Sequence, residues 1–324
     1  MKKTYERNKD GLIVLDNGEM VDVSNPELLR KAFLFHYNEK FFNKFLNKFS
    51  FKGLSYQQVN WIMRKFWAVG QVGCFIRDDW KILEKDEYYQ KHPEDKIVFA
   101  PWVWNDLINI YDFPTKLTFV NTRGVSFIPT RAFTIDKDAV IGYIQRNKKS
   151  VLSTIKVKIA QLVDIEMTLH TNQKTQKYPW IVAVSPEDEK QVEKLFDNID
   201  NDNPYLFASL GDNMKNAKAL VSGAPYILDK LYNLKQAIEN EILTLLGVNN
   251  IGMLEKKEHS IVDEVNANNQ EIKESGDHYF DMLTEFFERV KDVLGYEVEV
   301  TMNEQYEEMS YNEDMNGGDE DDNQ

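Results

Sequence analysis

The residues best suited to chemistry in this 324-residue chain are carboxylates, lysines and histidines spread along its length. Asp263 and Glu264 are neighbouring acids, and paired carboxylates of this kind hold Mg²⁺ in nucleases. A metal-dependent nucleic-acid enzyme is therefore one hypothesis for the chain. Just before this pair, residues 255–258 read Glu-Lys-Lys-Glu, a cluster of both charges that suits a surface contact.

Motifs for the common enzymatic chemistries are absent from the sequence. No GxxxxGK[ST] occurs, so nucleotide hydrolysis by a phosphate-binding loop is excluded, and no GxSxG marks a serine nucleophile. The histidines lie too far apart for a local zinc motif: His36, His92, His170, His259 and His278. The sequence predicts no metal, no cofactor and no enzymatic activity.

The single cysteine, Cys74, excludes an internal disulfide and suits a reducing compartment. Its flanks are apolar and rich in glycine, so we predict a buried structural thiol rather than a reactive one. The N-terminal residues lack an apolar stretch of signal-peptide length. No run of 18 apolar residues occurs, and we therefore expect no membrane-spanning helix.

Acidity is concentrated at the C-terminus. The chain has 39 basic and 53 acidic residues, a formal charge of −14. Nine of the acids lie in residues 303–324, which contain no Lys or Arg, so the rest of the chain carries 44 acids against 39 bases. We expect this acidic tail to be solvated and disordered, with binding of a hard cation as the alternative.

The elements that position these residues begin with residues 26–52, which have helical spacing. A cap at Ser24 or Asn25 precedes Pro26. Aromatic and basic stripes run in parallel: Phe41, Phe45 and Phe49 beside Lys40, Lys44 and Lys48. We expect the aromatic stripe to be buried. The basic stripe predicts either a solvated face or a contact with phosphates or a partner.

The remaining pattern predicts a mainly α fold with a small α/β module. A helix is expected over residues 55–70, with Val59, Ile62, Phe66 and Val69 inward. Short strands follow in residues 78–129, clearest at 116–120 and 125–128. Long helices over 150–172 and 225–247 flank a module with strands at 180–184, 205–208 and 218–221 and a helix at 187–199. A charged segment at 249–266, with an ordered helix as its alternative, precedes a helix over 268–294 and a strand over 296–302.

Several long stretches resemble one family. They are APYILDKL (224–231), LGVNN (246–250), LEKKE (254–258), VDEVNANNQEIKESG (262–276), NQKTQKYPWIV (172–182) and KQVEKLFDNIDNDNPYLFA (190–208). In these stretches the chain resembles the portal proteins (upper-collar proteins or head–tail connectors) of small short-tailed bacteriophages with protein-primed linear genomes. A weaker similarity covers residues 35–78, whereas residues 78–131 match poorly.

The resemblance implies a portal-type subunit that assembles into a dodecameric ring. The implied parts are a helical wing with an N-terminal arm (1–149), stem helices (150–176 and 224–248), an α/β clip (177–223), a channel loop (249–267), a wing helix with a strand (268–302) and the acidic tail (303–324). It also implies a virion protein at the head–tail junction, assembled in the host cytoplasm, through which double-stranded DNA is packaged and ejected.

The resemblance further implies partners and site residues. The partners are further copies of the chain, capsid and scaffold proteins, a lower-collar or tail protein, a packaging ATPase and a packaging RNA. The residues that face the DNA channel by this resemblance are Lys230, Glu255, Lys256, Lys257 and Glu258. A basic arm that contacts the motor or the RNA would contain Lys2, Lys3, Arg7 and Lys9. A different head–tail structural protein, such as a lower collar or adaptor, is the alternative.

Overall fold

The computed structural model describes residues 13–14, 20–21, 25–105, 108–120, 128–177, 180–183, 218–221, 225–250 and 262–303. The chain divides into two compact units. The first comprises Met1–Phe33 and Gln161–Ile238, and the second comprises Leu34–Ala160 and Glu239–Gln324. Each unit is therefore built from two stretches of chain that are far apart in sequence.

The described residues are mainly helical with small antiparallel sheets, as the sequence predicts. The helices are Pro26–Leu46 (α1), Tyr56–Ala68 (α2), Trp80–Leu83 (α3), Glu87–Lys91 (α4), Val151–Lys177 (α5), Leu228–Leu245 (α6) and Val262–Leu294 (α7). The strands are Ile13–Val14 (β1), Met20–Val21 (β2), Phe49–Lys52 (β3), Gln71–Ile76 (β4), Ile97–Ala100 (β5), Trp102–Trp104 (β6), Lys116–Phe119 (β7), Phe133–Thr134 (β8), Val140–Tyr143 (β9), Trp180–Ala183 (β10), Lys218–Val221 (β11) and Glu299–Met302 (β12). A 3-10 turn, Pro93–Lys96, precedes β5.

Helix α1 begins as predicted, with a side-chain cap and a first-turn proline. The side chain of Asn25 accepts hydrogen bonds from the backbone N–H groups of Glu27 and Leu28, at 3.0 and 3.3 Å. These bonds satisfy donors that a helix start leaves without a partner. Phe41 and Phe45 are fully buried, which confirms the predicted aromatic face.

The predicted helix over residues 26–52 is too long. Helix α1 ends at Leu46, and Phe49–Lys52 form β3, which pairs antiparallel with β12. Phe49 is buried as expected, but it is buried from a strand and contacts Phe45 edge to face. The strand that pairs with β3 lies some 250 residues away in sequence, so local spacing carries no sign of it.

Helix α2 follows Ser55, whose side chain and that of Gln58 form a reciprocal capping box. Ile62 and Phe66 are fully buried, as predicted, whereas Val69 is 51% exposed and is not an inward residue. The helix ends before Val69, because Gly70 adopts a positive φ of 87° and redirects the chain into β4.

The second unit contains a core between two three-stranded sheets, in the orders β5-β4-β9 and β6-β7-β8. Three aromatic rings meet there, since Phe75 lies 4.6 Å from Phe119 and 4.9 Å from Phe133 between ring centroids. Cys74 lies on β4 with no exposed surface, and this burial raises the pKa of its thiol far above the ordinary range. The predicted structural thiol is confirmed.

Within the second unit, helix α7 packs through the face that its periodicity predicts. Tyr279, Leu283, Phe286 and Val290 are all buried. The Phe286 ring occupies the space over Gly142 in β9, where any side chain would overlap it. The absence of a side chain at Gly142 therefore allows α7 to lie directly on the sheet.

The first unit contains the β10–β11 pair, in which Trp180 lies opposite Val221. These are the two described strands of the predicted α/β module. The predicted helix at 187–199 and strand at 205–208 lie outside the described residues. Ion pairs join α1 to α5 (Arg30 to Asp164, 2.5 Å) and α6 to α5 (Lys235 to Glu166, 2.6 Å).

The long helices exist as predicted, but their ends differ. Helix α5 continues to Lys177, five residues beyond the predicted end at Asn172, and α6 spans Leu228–Leu245. Helix α7 begins at Val262 rather than Asn268, so residues 262–266 of the predicted charged segment are helical. The predicted strand at 125–128 falls almost entirely outside the described residues. None of the described helices has the length and apolar character that crossing a membrane requires.

Candidate nucleic-acid interface

Of the residues predicted to face DNA, the structure describes Lys230. It lies in the first turn of α6 and is exposed. The positive charge of a lysine at this position is repelled by the partial positive charge of the helix N-terminus, so Lys230 does not stabilise the helix. Residues 255–258 and the arm residues Lys2, Lys3, Arg7 and Lys9 lie outside the described residues. That Lys256, Lys257 and the basic arm residues lie near Lys230 stays a prediction.

The surface around Lys230 is mixed in character. Asp229 precedes it and accepts a hydrogen bond from the Tyr226 hydroxyl at 3.2 Å, which raises the pKa of that phenol. Tyr232 and Leu234 on the next turn are 53% and 49% exposed. The start of α6 therefore presents one cation among an acid and apolar side chains, a surface that would attract phosphates only weakly.

A polar network joins the two ends of the segment 251–261. Asn250, at 3% exposure, donates to the backbone carbonyl of Asn240 and to the Thr244 hydroxyl, at 3.2 and 3.1 Å. Asn268 on α7 donates to the Asn250 side-chain oxygen at 2.9 Å, and the Thr244 hydroxyl lies 3.3 Å from the Asn268 oxygen. These bonds fasten the chain just before residue 251 to the helix that follows the segment.

The variant Asn268→Ala should destabilise the second unit by about 1–3 kcal/mol, because the buried Asn250 oxygen loses its donor. Chemical denaturation of the variant and the wild-type chain would measure this difference. The control is Asn269→Ala, the next residue on α7, which lies outside the network and should change stability by less than about 0.5 kcal/mol. Equal losses of stability in the two variants would contradict the role of Asn268 in the network.

Lys48 is buried against the end of α6, at 8% exposure. Its ammonium donates to the Gly247 carbonyl at 2.5 Å, at the C-terminal end of α6. Burial lowers the pKa of Lys48 to about 8, and the charge of Asp277 partly opposes that shift. The prediction that Lys48 belongs to a solvent-facing basic stripe is therefore wrong, because the end of α6 covers it.

Two glycines make room for this arrangement. Gly247 ends α6 with a φ of +64°, and Val248 N–H bonds to the Leu243 carbonyl at 2.8 Å. This is the glycine cap that the sequence predicts at Gly247. Gly276 on α7 faces both Gly247 and the Lys48 ammonium, and a side chain at either glycine would overlap the other's backbone or the lysine.

The basic residues of positions 30–65 are mostly engaged within the chain. Six of the eight bond to chain groups: Arg30 to Asp164, Lys31 to Glu27, Lys40 to Glu239, Lys48 to Gly247, Lys52 to Glu299 and Arg64 to Glu39. Lysines and arginines held in this way are less available to phosphates. The structure therefore favours neither a free basic face nor a DNA contact in this region.

The described residues offer no catalytic constellation. They contain no group of three or more His, Cys, Asp or Glu that could hold a metal ion. Asp263 and Glu264 lie in the first turn of α7, and their side chains fall outside the described ones. The nuclease hypothesis therefore gains no support.

Sequence reasoning missed Lys48 and the asparagine network as parts of this region. The available signal was the recurrence of asparagine on both sides of the charged segment, at 249–250 and at 266–269. Buried asparagines need hydrogen-bond partners, so such a recurrence indicates side chains that bond to each other.

Residues 22–307 match the sequence model of the family described as Phage Connector (GP10). The chain belongs to this phage connector family. Among solved structures it is similar to a chain of the portal and tail of native bacteriophage P68, with 11% identity and a TM-score of 0.40, covering 91% of this chain and 95% of that one.

The family membership places the protein in the virion. Phage connectors join the head to the tail, and the family is one of structural proteins rather than of enzymes. The protein is therefore a phage head–tail connector.

Proposed function

We propose that this connector is the portal of a small short-tailed phage with a protein-primed linear genome. Twelve copies form a ring at one capsid vertex, and double-stranded DNA is packaged and ejected through its centre. The observation that carries the proposal is the family match over residues 22–307, which includes every predicted channel residue. The protein contacts capsid and scaffold proteins on the head side and a lower-collar or tail protein on the other.

In this proposal residues 249–267 form the channel loop, and its last six residues are the first turns of α7. The bonds among Asn240, Thr244, Asn250 and Asn268 support it, because they fix both ends of the segment on rigid helices. A loop that contacts moving DNA must be held firmly at both ends. Lys230 contributes a further cation to the channel wall.

The charges of the proposed loop suit a conduit. It carries two lysines, Lys256 and Lys257, and two acids, Glu255 and Glu258, and its helical end in α7 adds Asp263 and Glu264. Each phosphate that a protein neutralises adds affinity through counterion release, so a strongly basic wall would hold the duplex and slow its passage. A wall of mixed sign keeps the DNA weakly held and repels it from the surface.

The N-terminal arm would contact the packaging motor. Lys2, Lys3, Arg7 and Lys9 form a basic cluster within the first nine residues. Such a cluster attracts the phosphates of a packaging RNA or an acidic surface of the packaging ATPase. These contacts would be strongly sensitive to salt.

Electron microscopy of the purified protein tests the proposal. The expected particle is a ring of twelve subunits with a central hole wide enough for duplex DNA. Labelled particles should show the protein at a single capsid vertex. A monomer, an open filament or a position below the collar would overturn the portal and favour a lower collar or adaptor.

Reversing the loop lysines should impair genome retention. The double variant Lys256→Glu and Lys257→Glu makes the loop wholly acidic, and the added repulsion should lower the yield of DNA-filled heads roughly tenfold. Ring formation should remain intact, because the loop ends are held by the asparagine network. Counting filled heads in complemented lysates measures the effect.

The matched control for this variant is the pair Lys81→Glu and Lys85→Glu. Both lysines are exposed and lie at or just after α3, in the second unit. The control has the same change in net charge, so it should package DNA like the wild-type protein. Equal losses in both variants would show that net charge, rather than the loop, governs packaging.

A further inference from the structure

The turn between β6 and β7 exposes several large apolar side chains. The bridge between Ile108 and Pro114 closes the turn. At its tip Ile110 and Tyr111 are 88% and 73% exposed. Phe113 follows at 43% and packs against the Lys148 ammonium, which lies 3.5 Å from its ring centroid.

Hydrogen bonds fix the shape of this turn. The Asn109 N–H donates to the Phe113 carbonyl at 2.8 Å, and the Asn109 side-chain oxygen accepts from the N–H groups of Tyr111 and Phe113 at 2.9 and 3.0 Å. Asp112 holds a left-handed φ of 59°, which aspartate tolerates better than most residues. The apolar tip is therefore presented on a preorganised backbone, which lowers the entropy cost of binding.

The exposed area of this turn is large for an incidental feature. Trp104 at the end of β6 is 60% exposed, and together with Ile108, Ile110, Tyr111 and Phe113 it exposes roughly 700 Å², backbone and polar atoms included. Patches of several hundred Å² on a single chain mark interaction sites. This area is also close to the roughly 800 Å² that one partner contributes to a standard interface.

We propose that this apolar turn, residues 108–113 with Trp104, packs against the neighbouring copy of the chain in the ring. The inference rests on the proposed ring. Permanent interfaces between identical subunits are more apolar than surfaces that meet a partner transiently. Four of the five exposed side chains are wholly hydrocarbon or nearly so, as expected for a permanent interface. In a head-to-tail ring each copy contributes this turn and receives its neighbour's on a different surface.

Charged substitutions at the tip should block assembly. The double variant Ile110→Asp and Tyr111→Asp should remain mostly monomeric under conditions in which the wild-type chain forms rings, as measured by light scattering and native mass spectrometry. Both side chains are exposed in the single chain, so its circular dichroism and melting temperature should not change. The matched control is Ile82→Asp, an isoleucine of α3 that is 75% exposed and should still form rings.

A thiol probe gives an independent readout of the same surface. The native thiol of Cys74 has no exposed surface, so an Ile110→Cys variant carries one reactive thiol at the tip. Its rate of maleimide labelling should fall about tenfold when monomers assemble into rings, because the interface excludes the reagent. A thiol introduced at Ile82 should label equally in both states.

The outcomes separate this inference from the proposed function. If the wild-type chain forms rings and the thiol at position 110 labels equally in monomer and ring, the turn is free for another partner and the inference is overturned alone. If the wild-type chain never forms a ring, the inference and the portal proposal fall together. Loss of rings in the tip variant with protection of the thiol supports the inference.

Discussion

The variant Gly247→Ala should be about 2–5 kcal/mol less stable than the wild-type chain. Gly247 has a φ of +64°, a left-handed conformation that costs an L-residue about 1–2 kcal/mol. Its added Cβ would also overlap the backbone nitrogen and Cα of Gly276, and overpacking of this kind costs about 1–3 kcal/mol. Backbone atoms cannot rotate away as a side chain can, so α6 and α7 must separate.

Gly295 provides a closely matched control. It ends α7 with a φ of +63°, yet nothing lies within 4 Å of the position of its Cβ. Gly295→Ala should therefore cost only the backbone term, about 1–2 kcal/mol. Urea denaturation at one protein concentration would measure both variants through the shift in midpoint at constant slope. Equal losses would show that α6 and α7 do not meet closely at Gly247.

The Gly247→Ala substitution should also disturb the proposed channel loop. Gly247 precedes Asn250 by three residues, and Asn250 bonds to Asn268. Separation of the two helices would stretch this network, so heads assembled from the variant should retain less DNA than those from Gly295→Ala. Comparison at a temperature where both variants are folded isolates this effect from simple unfolding.

The variant Lys48→Met should lack a contribution to stability that increases between pH 8 and pH 10 in the wild-type chain. Burial lowers the pKa of Lys48 in the folded chain to about 8, whereas an unfolded lysine titrates near 10.5. Between these values the unfolded chain binds more protons than the folded one, so the free energy of unfolding increases with pH. Below pH 8 both states are charged, and the dependence vanishes.

The size of this lysine contribution to stability follows from the shift of the Lys48 pKa. Each unit of pKa corresponds to about 1.4 kcal/mol, so the stability of the wild-type chain relative to Lys48→Met should rise by roughly 3 kcal/mol across the window. Burial also raises the pKa values of Tyr279 and Tyr296 to about 12, which reverses the trend above pH 10. Burial also raises the pKa of Cys74 from its ordinary value of 9.0, so this thiol lowers stability with rising pH to the same extent in both proteins. The difference between the wild-type and Lys48→Met unfolding free energies, measured at half-unit steps from pH 7 to pH 9.5, therefore isolates the lysine.

Lys44→Met is the control for the lysine variant. Lys44 lies one helical turn before Lys48 on the same stripe and is partly exposed. This variant should keep the wild-type slope. A Lys48→Met protein with an unchanged slope would show that another group, rather than this ammonium, titrates in the window.

Much of the architecture could be predicted because it depends on local periodicity. The 3.6-residue spacing of Tyr279, Leu283, Phe286 and Val290 identifies both the helix and its buried face. The cap at Asn25 and the terminal glycine at Gly247 are also local signals, since a helix end needs partners within a few residues. The predicted channel and arm residues, apart from Lys230, lie outside the described residues and stay predictions.

The sequence by itself determined the helices, the buried thiol and the family. The tertiary structure alone decided that Phe49–Lys52 form a strand, that Lys48 is buried against Gly247, and that Asn250 meets Asn268. The physical reason is the range of the interactions. Helical periodicity and caps act within a few residues, whereas a strand partner near residue 300 or a covering helix end 199 residues away changes the environment of a side chain without altering its local pattern.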